Sequence, residues 1–199
     1  DRYVSDAEYA FYMSYAQKRS EIFSYGINAK VVHKNVGDNS AWGLGFDIGV
    51  RWRAWQDLIL GANFQDVTTT LLAWDTGRQE LIAPTLKLGG AYPFAFNFAK
   101  SQLLLAADVD VRFEGRGKDA AQISAGPTSW DFRFGMEYRV YELVSLRLGR
   151  DDLGYLTAGA GIVLPNLDVD YAFMNHKDLQ ETHRISLRVR LEENAFARK

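Results

Sequence analysis

Hydrophobic and polar residues alternate one by one along most of this chain. The stretch 183–191, HRISLRVRL, has an aliphatic residue at almost every second position, with arginine or serine between them. A period of two is that of an extended strand, whose successive side chains point to opposite faces. The stretch therefore predicts a strand with one apolar face and one polar face.

The same alternation predicts eleven strands and leaves little room for helix. In the third strand, Leu44, Phe46 and Ile48 share one face, and Asp47 and Arg51 share the other. An apolar face recurs in nearly every strand, and the opposite face carries charges of both signs. The predicted strands are 8–18, 22–34, 42–53, 56–66, 80–92, 102–113, 130–140, 143–150, 155–164, 167–174 and 183–191.

The connections between these strands predict an all-β, antiparallel, up-and-down transmembrane β-barrel. Tight turns (54–55, 141–142, 165–166) alternate with longer loops (67–79, 114–129, 175–182). Barrels of this kind have short turns on the periplasmic side and longer loops outside, which predicts a periplasmic C-terminus. Aromatic residues beside the tight turns are expected to form an interfacial girdle: Trp52, Trp55, Tyr138 and Tyr141.

The charged face is predicted to line the lumen. An arginine that faces lipid at mid-membrane costs about 2–4 kcal/mol, so the three arginines of the last strand must face inward. The favoured interpretation is a structural filling of the lumen, with a binding site as the alternative. The predicted lumenal charge network consists of Asp47, Arg51, Asp108, Asp110, Arg112, Arg133, Glu137, Arg147, Asp168, Asp170, Arg184, Arg188 and Arg190.

The composition argues against several other classes of protein. The chain has 199 residues, a net charge of −2 and no cysteine, which disfavours nucleic-acid binding and excludes disulfides and thiolate sites. It has no apolar run near the roughly 18 residues of a transmembrane helix, but barrels dilute their apolar residues by alternation. A soluble sandwich would also alternate, yet the charged face is too charged for its interior and the apolar face too continuous for its surface.

Candidate chemistry is sparse. His183 and Ser186 are of the types that lipid hydrolysis uses, but three residues apart in a strand they face opposite sides, so no enzyme is predicted. No metal or cofactor motif is present. The long external loop TTTLLAWDTGR (68–78) is unusually apolar; Leu71, Leu72 and Trp74 are predicted either to plug the barrel mouth or to contact a ligand or partner.

An odd number of strands does not close an antiparallel barrel. We therefore expect residues 1–191 to be the C-terminal part of a longer barrel, with strands before Asp1, and residues 192–199 to be a periplasmic tail.

Several stretches resemble a known family. They are SDAEYAFYMSYAQK, WDTGRQELIAPTLKLGGAY, FGMEYRVYELVSLRLG and, most specifically, LDVDYAFMNHKDLQETHRISLRVRL. Together they resemble the PorV/PorQ outer-membrane barrels, which are related to the FadL-like long-chain fatty acid transporters. The resemblance implies fourteen strands, of which this chain supplies the last eleven.

The resemblance also implies a location and a role. The location is the bacterial outer membrane, with its lipid and secretion-complex proteins as partners. The role is non-catalytic, either type IX-like cargo shuttling or transport of hydrophobic molecules. The alternative is a structural subunit or scaffold of a larger outer-membrane complex.

Overall fold

The computed structural model describes residues 6–117, 120–176 and 180–190 and contains fourteen β-strands. The predicted tail, 192–199, lies outside these ranges. The strands are β1 (Asp6–Lys18), β2 (Phe23–Val36), β3 (Asn39–Arg53), β4 (Ile59–Gln65), β5 (Thr70–Trp74), β6 (Gln79–Ile82), β7 (Thr85–Phe96), β8 (Ser101–Arg112), β9 (Ile123–Ala125), β10 (Thr128–Val140), β11 (Val144–Arg150), β12 (Leu156–Val163), β13 (Leu167–His176) and β14 (Gln180–Val189).

The strands form one antiparallel, up-and-down sheet. Its main path is β1-β2-β3-β4-β7-β8-β10-β11-β12-β13-β14, so neighbours in the chain are neighbours in the sheet once β5, β6 and β9 are set aside. The all-β, antiparallel, up-and-down fold predicted from alternation is confirmed. The eleven strands of the main path correspond one to one to the eleven predicted strands. Within the described ranges, no helix is long and apolar enough to cross a membrane.

The fourth pass of the chain is interrupted by a bulge. Strand β3 pairs with β4 from Ile48↔Phe64 onward and with β5 from Leu44↔Leu71 onward. Four positions on β3 (48 − 44) therefore face seven on its partner (71 − 64), which inserts three extra residues. Asp66 and Thr69 take positive φ values of 53° and 57° to make this insertion. Strands β4 and β5 are thus two halves of one pass.

The single long loop predicted at 67–79 is wrong, because its central residues form strand β5. Leu71, Leu72 and Trp74 lie in β5, which forms a hairpin with β6. The strand predicted at 80–92 is split at Ala83 and Pro84 into β6 and β7, since proline supplies no N–H to a ladder.

The loop predicted at 35–41 is also shorter than expected. Strand β2 continues to Val36 and β3 begins at Asn39, with Gly37 at φ 59° in the turn between them. The difference in loop length between the two ends of the strands is therefore smaller than the sequence predicted. The region 113–127, which contains β9, remains the longest described connection between passes.

The described chain divides into two compact units. The first contains residues up to Gly90 together with Asp108–Asp131, and the second contains Ala91–Ala107 and the residues from Phe132 onward. Strands β7, β8 and β10 contribute residues to both.

Burial in this sheet is inverted relative to a water-soluble domain. Among the described residues, the buried hydrophobic side chains are Val32, Ala41, Leu72 and Val111. The buried polar or charged side chains are more numerous: Asp47, Asp66, Thr70, Ser101, Asp110, Ser129, Asp131 and Ser145. Large apolar residues are mostly exposed, whereas soluble proteins bury them.

Candidate membrane-facing surface and inner charge clusters

Strand β3 shows the two faces of the sheet most clearly. Every even-numbered residue from Trp42 to Trp52 is apolar and between 37 and 56% exposed. The odd-numbered residues Ala41, Gly43, Gly45 and Asp47 between them are buried. We call the side of the sheet that carries Trp42 and Trp52 the apolar face, and the side that carries Asp47 the polar face.

The apolar band of β3 has the height of a membrane core. Its even-numbered residues from Leu44 to Val50 are aliphatic or phenylalanine, and a tryptophan ends the band on each side. The ten residue-to-residue steps from Trp42 to Trp52 span about 33 Å along the strand. At the tilt of 35–45° usual in outer-membrane barrels, this length gives a band roughly 23–27 Å tall, close to the typical 25 Å.

The second unit also has an exposed apolar face. Met136 and Tyr138 of β10 lie opposite Leu148 and Leu146 of β11, and all four are exposed. Ile185, Leu187 and Val189 of β14 are exposed to about 70%. Monomeric proteins in water rarely expose an apolar surface as continuous as this one.

Aromatic residues cluster near the ends of the strands. In the first unit, Trp52 and Trp55 are exposed beside the turn at 54–58, and in the second unit Tyr138 and Tyr141 are exposed beside the turn at 141–143. A second aromatic group, which was not among the predicted girdle residues, lies at the opposite end of β3. There the rings of His33 and Trp42 stack on the apolar face at 4.2 Å, and His33 Nδ1 lies 3.3 Å from the Ala41 carbonyl oxygen.

His183 lies on the apolar face of the second unit. It is opposite Phe173 in the register, whereas Ser186 is opposite Asp170, so the two side chains point to opposite sides of the sheet. The Nδ1 atom of His183 is 2.7 Å from the hydroxyl of Tyr171, and its ring packs against Phe173. Contact between His183 and Ser186 is therefore ruled out in this register.

The first inner charge cluster holds the bulge on the polar face. The Lys30 ammonium lies 3.1 Å from Asp47 and 2.8 Å from Asp66, and these three side chains are only 9–13% exposed. The Asp66 backbone N–H donates to Asp47 at 3.0 Å, and the Thr70 hydroxyl donates to the Asp66 carboxylate. Both ends of the bulge are thus tied to the polar face of β2 and β3.

Gly45 makes room for this cluster. A Cβ atom on Gly45 would lie 2.0 Å from Thr70 Oγ1 and 2.7 Å from Lys30 Cε, so any side chain would displace them. Next to the cluster, Leu72 packs on the polar face with Val32 and Ala41, and Trp74 packs against this group. Leu72 and Trp74 are two of the three apolar residues that were predicted to lie in an external loop, the third being Leu71.

The second cluster surrounds two buried carboxylates of the first unit, Asp110 and Asp131. Asp131 accepts hydrogen bonds from Arg112 Nη1 at 2.9 Å, from Arg116 and from the backbone N–H of Gln122 at 3.1 Å. Asp110 lies 3.7 Å from the Lys87 ammonium. Because Arg116 and Gln122 belong to the connection between β8 and β10, this cluster fixes that connection to the polar face.

The third cluster crosses four neighbouring strands of the second unit. Arg147 of β11 bonds Glu137 of β10 at 2.6 Å and Asp170 of β13 at 2.5 Å. Between β11 and β13 lies β12, where a Cβ atom on Gly161 would be 2.6 Å from both Asp170 Oδ1 and Ser145 Oγ. The absence of a side chain at Gly161 lets the guanidinium reach across β12. Arg139 adds a 2.5 Å bond to Glu137.

The remaining predicted charges lie outside these three clusters. Arg190 bonds Asp168 at 2.5 Å and the Leu164 carbonyl oxygen at 2.7 Å, which ties the end of β14 to the preceding turn. Arg51, Asp108, Arg184 and Arg188 are exposed, and Arg133 is half-buried. The structure therefore joins part of the predicted network into local ion pairs.

Seven residues of the clusters are not part of the predicted charge network: Lys30, Asp66, Thr70, Lys87, Arg116, Asp131 and Arg139. Lys30 shares its face with Asn28 and Lys34, so alternation in 22–34 was the signal that pointed to it. Asp66 and Thr70 flank an insertion that breaks the period of two, and Arg116 lies in a connection with no period. Alternation carries no information at such positions.

Comparison with known proteins adds no family assignment. No protein-family model matches the chain, and no curated protein matches it significantly.

Proposed function

We propose that this chain belongs to a non-catalytic β-barrel protein of the bacterial outer membrane. In this proposal the apolar face contacts lipid and the polar face lines the interior. The observation that carries it is β3, where a continuous apolar band of membrane height is bounded by Trp42 and Trp52 and is backed by buried Asp47. The inverted burial of the whole described chain supports the same placement.

The proposed role is that of the PorV/PorQ and FadL-like proteins that the sequence resembles. Such a role is secretion-associated cargo shuttling or transport of hydrophobic molecules, with outer-membrane lipid and secretion proteins as partners. This part of the proposal rests on the resembling stretches alone, of which the segment from Leu167 to Leu191 is the most specific.

A second candidate, a scaffold subunit of an outer-membrane complex, is favoured by the inner ion pairs. Arg147 links Glu137 to Asp170, and Lys30 links Asp47 to Asp66, so these charged side chains bind one another. Ion pairs of this kind stiffen the sheet of the proposed barrel, whether or not solutes pass through it. Uptake of a fluorescent fatty acid into liposomes that contain the protein distinguishes the roles: transport predicts uptake, and a scaffold predicts none.

Depth-dependent fluorescence quenching tests the placement in lipid. Three chains each retain one tryptophan: Trp42, Trp52, or a tryptophan introduced by Ile48→Trp, with the other tryptophans replaced by phenylalanine. Bromine atoms at the middle of the acyl chains are expected to quench the Ile48→Trp chain most. Bromines near the headgroups are expected to quench Trp42 and Trp52 most.

A chain that retains only Trp74, on the polar face, is the matched control and is expected to be quenched little by either lipid. Equal quenching of all four chains at both depths would contradict the proposal.

A further inference from the structure

The connection between β8 and β10 folds back over the polar face of the first unit. We call its described residues, 113–117 and 120–127, the strap. The backbone N–H of Gln122 donates to the Asp131 carboxylate at 3.1 Å. Arg116 binds the same carboxylate and also donates from Nε to the Ser129 hydroxyl at 3.0 Å. Because Ser129 and Asp131 are side chains of the polar face, both described parts of the strap lie against that face.

The two parts of the strap are also bound to each other. The Ser124 hydroxyl donates to the backbone carbonyl oxygen of Arg116 at 2.6 Å, and β9 holds Ser124 opposite Ser129 of β10. A Cβ atom on Gly115 would lie 3.0 Å from the Gly126 carbonyl oxygen, so the two parts are in close contact there as well. Ser129 is fully buried beneath them. The strap therefore covers part of the polar face as a single body.

Polar contacts hold the strap in place more than apolar packing does. Its large apolar side chains, Phe113 and Ile123, are 45% and 52% exposed. Segments that bury few apolar side chains open at a small cost in free energy. When Arg116 leaves, Asp131 still has Arg112 at 2.9 Å, so no buried charge is left alone. The strap can therefore detach while the strands beneath it stay folded.

We propose that the strap is a conformational device of the polar face: it narrows the barrel interior when docked and widens it when Arg116 leaves Asp131. The proposal rests on the proposed function, in which the polar face lines the interior. Arg116 is the anchor because its guanidinium joins the strap to two residues of β10, Ser129 and Asp131. Detachment removes the strap from the face that it covers, and the width of a passage decides which solutes enter it.

Liposome swelling in arabinose tests the proposal on the full chain. The rate of swelling per inserted protein reports the passage of this small neutral sugar. Arg116→Ala is expected to raise the rate at least about threefold, because the passage widens when the anchor is lost. Arg78→Ala removes the same charge from an exposed turn residue of the first unit, and it is expected to leave the rate within about 1.5-fold of the parent chain.

A reversible disulfide fastens the strap without the anchor. The chain has no cysteine, so Ser124→Cys/Ser129→Cys introduces one pair, at positions that lie opposite each other in β9 and β10. In the Arg116→Ala chain, oxidation of this pair is expected to lower the swelling rate at least about twofold, and reduction is expected to restore it.

A swelling rate that Arg116→Ala leaves unchanged would overturn the proposal, and so would a raised rate that oxidation does not lower. If Arg116→Ala does not insert into liposomes, the cysteine pair in the parent chain gives the test: oxidation is expected to lower the rate, and equal rates would overturn the proposal. The tryptophan quenching experiment reports separately on the placement in lipid. The expected quenching with no swelling in any chain would overturn the strap proposal alone, so the two failures are distinguishable.

Discussion

Ion pairs between acidic and basic side chains have different roles in the two units of the sheet. In the first unit, Lys30 is nearly enclosed between Asp47 and Asp66, and the cluster holds an irregular insertion in place. In the second unit, Arg147 joins Glu137 and Asp170 across regular strands, with its own side chain and that of Asp170 each 41% exposed. The first cluster holds a local insertion in place, whereas the third cluster links strands that already pair through their backbones.

Burial therefore determines how much an ion pair of the polar face contributes to the free energy of unfolding. A charge that is left alone in an enclosed cluster loses both its partner and access to water, so breaking such a pair costs about 3–5 kcal/mol. An exposed pair contributes at most about 1 kcal/mol, because water screens and replaces it. Substitutions in the first unit are therefore expected to have larger effects than matched substitutions in the second.

Removal of the Lys30 charge is expected to have the largest effect within this comparison. Lys30→Met leaves Asp47 and Asp66 facing each other with little access to water, so we expect a loss of about 3 kcal/mol in the free energy of unfolding. Denaturant titration in micelles measures it. Lys34→Met, at a more exposed lysine on the same face, is the control and should cost less than about 1 kcal/mol. Equal losses at Lys30 and Lys34 would show that burial does not determine the contribution of these lysines.

A methyl group at Gly45 is expected to have the next largest effect. Gly45→Ala forces a Cβ atom into Thr70 and Lys30, which overpacks the cluster and should cost about 1–3 kcal/mol. Gly49→Ala lies on the same face of the same strand, where the nearest atom to its Cβ would be 3.8 Å away. The alanine at position 49 should be nearly neutral in the same titration. If both glycines tolerate alanine equally well, the bulge is not packed as described.

The corresponding change in the second unit is Gly161→Ala. Its Cβ would meet the ends of the Asp170 and Ser145 side chains; Ser145 is buried, but Asp170 is half exposed and has room to rotate away. We therefore expect a loss of about 1 kcal/mol, smaller than at Gly45. Gly135→Ala in β10, where the nearest atom would be 3.8 Å away, is the matched control. A larger loss at Gly161 than at Gly45 would reverse the comparison.

The smallest effect is expected for the exposed ion pair itself. A double-mutant cycle of Asp170→Asn and Arg147→Gln should give a coupling energy of about 0.5–1 kcal/mol that declines as salt is added. The same cycle on Asp47 and Lys30 should give a larger coupling that depends less on salt. Equal coupling energies and equal salt dependence would show that burial does not separate the clusters.

Alternation predicted the passes of the chain well because one face of nearly every strand is apolar. It failed at β5, TLLAW, because Leu72 and Trp74 lie on the polar face beside Val32 and Ala41, which makes both faces apolar there. The bulge before β5 also inserts an odd number of residues, so the alternation of apolar and polar positions does not continue in step across it. Strand β9 is only three residues long, too short to show a period.

The sequence predicted which charges share a face better than it predicted which charges pair. Asp47 was placed correctly on the polar face, but its partner Lys30 and its neighbour Asp66 follow from register and from the insertion. Asp168 and Asp170 lie on one strand, yet one binds Arg190 and the other reaches across β12 to Arg147, because Gly161 leaves the space. Such choices depend on contacts between strands that are distant in the sequence.

The depth dependence of an arginine substitution on the apolar face tests the central claim most directly. Ile48→Arg lies in the middle of the β3 band and Trp55→Arg lies at the turn beyond it. If the apolar face contacts lipid, folding into bilayers should be weakened by about 2–4 kcal/mol for Ile48→Arg and by less than about 1 kcal/mol for Trp55→Arg. Equal and small effects at both positions would place this face in water and contradict the account.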